Sequence, residues 1–159
     1  MAGQLRPGLE LRTITGDEYT AWSQAVSQQF GGDVSDEELD AYRGVTDLDQ
    51  TYGVFDGDQV VGTTGAYPFS MTVPGGEQLR CAGITAVGGR TSHRRQGLLT
   101  AMMRRQLADL AAAGLPLAAL LASESGIYGR FGYGPAIPTV SVAIDRHAAQ
   151  FAAGNPPAH

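Results

Sequence analysis

Thr91-Ser-His-Arg-Arg-Gln-Gly-Leu-Leu-Thr100 runs from an arginine-rich, glycine-punctuated turn straight into an amphipathic helix. The first backbone N–H groups of a helix lack intrahelical partners and lie at the positive end of the macrodipole, so an anion placed there collects several hydrogen bonds at once. Gly97 has no Cβ and lets the backbone approach a bulky pyrophosphate, while Arg94 and Arg95 can add charge-assisted contacts. Behind the turn, Leu99, Met102, Met103, Gln106, Leu107 and Leu110 recur at spacings of three and four, with Arg104, Arg105 and Asp109 between them. That pattern predicts a helix with one face in the core and one in water.

Upstream, Cys81-Ala-Gly-Ile-Thr-Ala-Val87 is an apolar strand segment that ends in Gly88-Gly89. Strand, glycine-rich turn and helix is the arrangement in which nucleotide phosphates are commonly held. The two best-known phosphate motifs are absent, however, since the chain has neither G-x-x-x-x-G-K-[ST] nor G-x-G-x-x-G. An Arg-Arg pair before a helix is also compatible with an ordinary solvated surface.

The 159 residues suffice for one domain with a core of its own, without disulfides or metals. The single cysteine, Cys81, lies in an apolar segment and fits packing in a reducing compartment. His93, His147 and His159 make no metal spacing with it, so no metal is expected. The formal net charge of −5 argues against nucleic acid as a partner. Charge is nevertheless uneven. All 11 basic residues are Arg, and Arg90, Arg94, Arg95, Arg104 and Arg105 fall within one short stretch, giving an acidic chain one local anion site. Arg without Lys, beside abundant Ala and Gly, is the habit of GC-rich bacterial genomes. Met1 to Gly8 lacks the apolar core of a leader, and the apolar run from Leu107 to Ala122 is broken by Asp109, Gly114 and Pro116. The expectation is a soluble cytoplasmic protein with no membrane partner.

Along the chain, Leu9 to Ile14 alternates as a strand. Thr15-Gly-Asp-Glu18 has the form of a capping box and predicts a helix over about residues 16 to 30, and Ser35-Asp-Glu-Glu38 starts a short helix ending near Tyr42 and Arg43. Strands over Thr51 to Phe55 and Gln59 to Tyr67 flank the hairpin signal Asp56-Gly57, and a third β region runs from about Gln78 to Val87. After the long helix, Gly114 stops it, Leu117 to Leu121 reads as a buried strand, and a last strand is expected over about Thr139 to Ile144. The fold class is α/β, with a mixed, mostly antiparallel central sheet flanked by helices. Residues 1–153 read as the domain and 154–159 as a linker or truncated tail.

Three stretches carry a resemblance: Ile84-Thr-Ala-Val87, His93-Arg-Arg-Gln-Gly-Leu-Leu-Thr100, and Ala122-Ser-Glu-Ser-Gly-Ile-Tyr-Gly-Arg-Phe-Gly-Tyr-Gly-Pro-Ala136. With the order of elements, they resemble the GCN5-related N-acetyltransferases, and more closely the amino-terminal domain of the enhanced intracellular survival (Eis) family. The resemblance covers nearly the whole chain. It implies acetyl-CoA as cosubstrate and an amine acceptor, such as an aminoglycoside or a protein lysine. Val87, Gly88 and Gly89 would line the pantetheine with strand backbone, and Arg95, Gln96, Gly97, Leu98, Leu99 and Thr100 would hold the pyrophosphate. Ser123 and Glu124 would lie along the cofactor, and Tyr128 matches the general acid. Phe30, Asp33 and Tyr42 fall in the region of the amine pocket, where they are equally compatible with helix-end packing and surface charge.

The chain departs from the pattern at Leu99, where the wider superfamily has Gly or Ala, at Gly89 and at Thr91. The last two loosen the loop. Eis-type proteins continue into a second acetyltransferase-like domain and a sterol-carrier-like domain whose terminal carboxylate is the base. This chain matches only the first of these, so it is either a fragment of a longer protein or a stand-alone protein that uses water or Glu124 as proton acceptor. The alternatives are a catalytically silent acyl-CoA-binding or assembly domain and, on the same cradle, a nucleotide-binding regulator. A homo-oligomer is compatible with each.

Overall fold

The computed structural model describes residues 5–33, 35–138 and 140–146. Its centre is a five-stranded sheet in the order β1 (Leu9–Thr13), β2 (Tyr52–Asp56), β3 (Gln59–Thr72), β4 (Gln78–Gly89), β5 (Leu117–Leu120). The first four strands are antiparallel neighbours and β5 runs parallel to β4, as a helical crossover requires. Two helices, α1 (Tyr19–Phe30) and α2 (Asp36–Arg43), leave between β1 and β2; α3 (Leu98–Ala112) makes the crossover. The mixed sheet with flanking helices is the one expected.

Alternation along the strands builds two cores. Ile14, Phe55 and Val60 join Tyr19, Trp22, Ala25 and Leu39 beneath α1 and α2. On the other face Val54 and Val61 meet Leu98 and Met102, while Ala66, Ala82 and Ile84 meet Met103, Leu110 and Tyr128. Polar links cross the same layers. Trp22 Nε1 donates to the Tyr52 carbonyl at 2.9 Å, Tyr52 Oη to Asp109 Oδ2 at 2.8 Å, and Thr64 Oγ1 to Gln106 Oε1 at 2.8 Å. Cys81 is buried and burial pushes its thiol up, which fits packing and not reactivity.

Four local expectations change. Helix α1 begins at Tyr19 rather than near residue 16: Glu18 makes its half of the box by accepting the Thr15 N–H at 2.9 Å while also clasping Arg12 at 2.6 Å, but the Thr15 hydroxyl donates to Glu18 and caps no backbone N–H. The box at Ser35 forms in full, with Ser35 Oγ accepting from Glu38 N and Glu38 accepting from Ser35 N. On α3 Met102, Met103, Gln106 and Leu110 are buried as the pattern predicts, but Leu98, which packs over Gly62, is buried too, while Leu99 and Leu107 are only partly covered. Strand β5 is half-buried rather than buried, for it lies at the sheet edge, and Leu121 beyond it is 92% exposed. The expected last strand does not form: residues 140–144 carry no strand, and Val140, Val142 and Ile144 are exposed. Alternating apolar residues make a strand only where a neighbour takes their hydrogen bonds and covers their faces. Thr139, His147, His159 and the 154–159 tail lie outside the described residues.

Candidate active site

Strand β4 pairs with β5 only from Cys81↔Leu117 to Ile84↔Leu120. Its last five residues, 85–89, therefore have β3 on one side and no strand on the other among the described residues. Within this stretch the β3–β4 register slips: Thr63 faces Gly88 and Gly65 faces Thr85, so Ala86 and Val87 together oppose Thr64. The bulge turns the strand and interrupts its ladder. Ala86 takes φ +53°, a conformation that a residue with a Cβ adopts only when its surroundings impose it.

Arg95 is the other non-glycine residue at positive φ among the described residues, with φ +62°. It lies in the 90–97 loop, two residues before Gly97, which is itself left-handed at φ +85° and forms the N-cap of α3. Gly97 offers no side-chain cap, and the first intrahelical bond is Ala101 N–H to the Gly97 carbonyl at 2.9 Å. The N–H groups of Leu98, Leu99 and Thr100 thus have no intrahelical acceptor. Arg94 and Arg95 are exposed beside them. The loop itself is anchored. His93 Nε2 lies 3.1 Å from Asp56 Oδ2 in the β2–β3 turn, the Gln96 carboxamide donates to the Ser92 carbonyl at 3.3 Å, and Arg90 N–H donates to the Val61 carbonyl at 2.9 Å.

The sequence-predicted residues divide accordingly. Val87 and Leu99 pack in one cluster with Tyr128, so the strand bulge, the helix start and the phenol come together. The Leu98 side chain is buried in the core, away from the loop. Gln96 turns inward to its own loop. Ser123 and Glu124 are exposed just beyond β5, and the Glu124 carboxylate acts on Tyr128. Burial first, and that carboxylate second, raise the Tyr128 hydroxyl above the usual phenol range, so it is protonated at neutral pH. Tyr133 stands edge-on to Tyr128 with ring centres 6.0 Å apart, and burial pushes its hydroxyl up to about 12. Phe30, Asp33 and Tyr42 are all exposed, on and beyond α1 and on α2, across the sheet from α3. Sequence reasoning missed Gln29 and Thr63, which meet at the bulge; a lone Thr in a strand and a Gln at a helix end carry no signal by themselves.

No group of His, Cys, Asp or Glu among the described residues could hold a metal ion, and no described helix is long and apolar enough to cross a membrane.

A strand whose last residues lack a second neighbour, a bulge in it and an uncapped helix start beyond it form the candidate site. Residues 10–136 match the acetyltransferase (GNAT) domain, and the chain belongs to that family. It is 48% identical over 142 residues to an uncharacterized N-acetyltransferase of Streptomyces coelicolor, an alignment that covers 86% of this chain and 34% of that protein. It is 38% identical over 149 residues to the N-acetyltransferase Eis of Mycobacterium tuberculosis, covering 89% of this chain and 36% of Eis. The crystal structure of Eis1 from Mycobacterium abscessus superimposes with a TM-score of 0.71 at 32% identity, over 79% of this chain and 31% of that one. The chain thus spans about a third of the length of the curated relatives it matches.

Proposed function

We propose that this chain transfers an acetyl group from acetyl-CoA to an amine. The observation that carries the reading is the coincidence of the two imposed positive-φ residues, Ala86 and Arg95, with the two places where a CoA arm would need backbone: the splayed strand and the helix start. Val87, Gly88 and Gly89 would run along the pantetheine, with the open side of the ladder offered to its amides. The N–H groups of Leu98, Leu99 and Thr100, with Gly97 giving access and Arg95 adding charge, would hold the pyrophosphate, and Ser123 and Glu124 would flank the arm.

Acetyl-CoA supplies an activated thioester. The amine lone pair attacks its carbonyl carbon, the Val87 N–H stabilises charge developing on the carbonyl oxygen, and the carbon–sulfur bond breaks. The Tyr128 hydroxyl then protonates the departing sulfur, while the ammonium proton passes to water or Glu124. Phe30, Asp33 and Tyr42, all exposed, would supply aromatic and acidic groups suited to a cationic acceptor, such as an aminoglycoside or a lysine side chain.

Calorimetric titration tests the cradle. Arg95→Glu should weaken acetyl-CoA binding about a hundredfold at low salt, the worth of a charge-assisted contact turned repulsive. Pantetheine, which lacks the pyrophosphate, should bind variant and parent alike. Equal affinity of the variant for acetyl-CoA would remove the pyrophosphate assignment, and ATP binding as tightly as acetyl-CoA would favour a nucleotide site.

A further inference from the structure

Gln29, in the last full turn of α1, has no role in the chemistry above, yet its side chain occupies the space that a Cβ on Gly88 would fill. The helix therefore touches the bulged strand directly. Beside it Thr63 is fully buried on β3, and its Oγ1 lies 2.7 Å from the Ala86 carbonyl oxygen and 2.9 Å from the position assigned to Gln29 Oε1. One hydroxyl carries one proton. The shorter contact takes it, so Thr63 donates to the carbonyl of the strained residue and turns a lone pair toward Gln29. An amide N–H is the group that satisfies a lone pair, and the Nε2 of Gln29, as placed, is buried with no partner while Oε1 faces the hydroxyl. Oxygen and nitrogen of a carboxamide exchange places by a half-turn, and the network decides between them. The result is a relay in which Gln29 Nε2 donates to Thr63 and Thr63 donates to Ala86.

The relay has a direction. No peptide bond among the described residues is cis, and across a trans peptide the carbonyl and the following N–H point opposite ways. Holding the Ala86 carbonyl toward Thr63 and α1 aims the Val87 N–H away from them, toward the face that α3 and Tyr128 occupy. We propose that Gln29 and Thr63 are positioning residues for acyl transfer, which fix the Ala86 bulge so that the Val87 N–H meets the thioester carbonyl. The proposal rests on the acetyl-CoA reading above and adds residues that hold its carbonyl site.

The test is the infrared carbonyl stretch of acetyl-CoA, carbon-13 labelled at the thioester carbonyl and bound to the 159-residue chain. A carbonyl that accepts a hydrogen bond absorbs at lower wavenumber than the free ester. The parent and Thr63→Ser, which keeps the hydroxyl, should show that shift; Thr63→Val and Gln29→Leu should lose about half of it or more. Affinity for CoA, which has no acetyl group, should stay within about twofold in all four proteins. A parental shift in both Thr63→Val and Gln29→Leu overturns the proposal, as does an unshifted carbonyl in the parent or a loss of CoA affinity in step with the shift. Should Thr63→Val fail to fold, Gln29→Leu against Thr63→Ser decides. A parent that binds no acetyl-CoA overturns the functional reading itself, an outcome distinct from binding with an unchanged shift.

Discussion

At the scale of one residue, burial gives Tyr128 its chemistry. Removed from water beside Glu124, the phenol keeps its proton through the neutral range, as the proposed donor to the departing sulfur must. Tyr128→Phe preserves the ring and its edge-on contact with Tyr133 while deleting that proton. Acetyl-CoA should bind with near-parental affinity while turnover falls roughly 10²- to 10⁴-fold, the usual worth of an acid–base group. Thiol release and thermal midpoint, measured on the same preparations, check this. Full turnover with a lowered midpoint would make Tyr128 a packing residue.

At the scale of an element, the start of α1 shows two demands meeting on one side chain. Glu18 accepts from Arg12 and from the Thr15 backbone, and these contacts, Arg12 first, lower its carboxyl from 4.5 to about 2. A carboxyl depressed in the folded state contributes stability that is fully present above its unfolded value and is lost as pH falls through the folded one. The window is therefore between 4.5 and about 2. With the Glu18 side chain 29% exposed, solvent screening limits the contribution to about 1 kcal/mol. Urea unfolding of parent and Glu18→Gln should differ by that amount near neutrality, and the gap should close toward the acid end of the window. A gap unchanged with pH would mean that the carboxylate's charge plays no part.

At the scale of the whole molecule, one sheet carries two cores. Met103 is fully buried between α3 and the sheet, whereas Trp22 lies under α1 on the opposite face. Met103→Ala should cost about 2–5 kcal/mol from lost transfer energy and the cavity left behind. If both faces unfold together, Trp22 fluorescence and far-ultraviolet dichroism should report the same lowered urea midpoint. A fluorescence transition that stayed at its parental midpoint while the dichroism moved would show the two faces unfolding apart.

Much of this was legible in order. Periodicity placed α3, the β2–β3 hairpin and the Ser35 box, because each depends on residues a few positions apart whose preferences agree with the fold. The stretch from Arg94 to Gly97 marked the helix start and its open N–H groups for the same local reason. Local pattern failed in two places: the Thr15 hydroxyl donates to the Glu18 carboxylate instead of capping a backbone N–H, and the alternation of Val140, Val142 and Ile144 found no neighbouring strand. The bulge at Ala86, the meeting of Val87, Leu99 and Tyr128, and the contact of Gln29 with Thr63 were decided by tertiary structure alone. These residues lie on separate elements, and only the register of β3 against β4, with a helix packed on either face, brings their atoms within bonding distance.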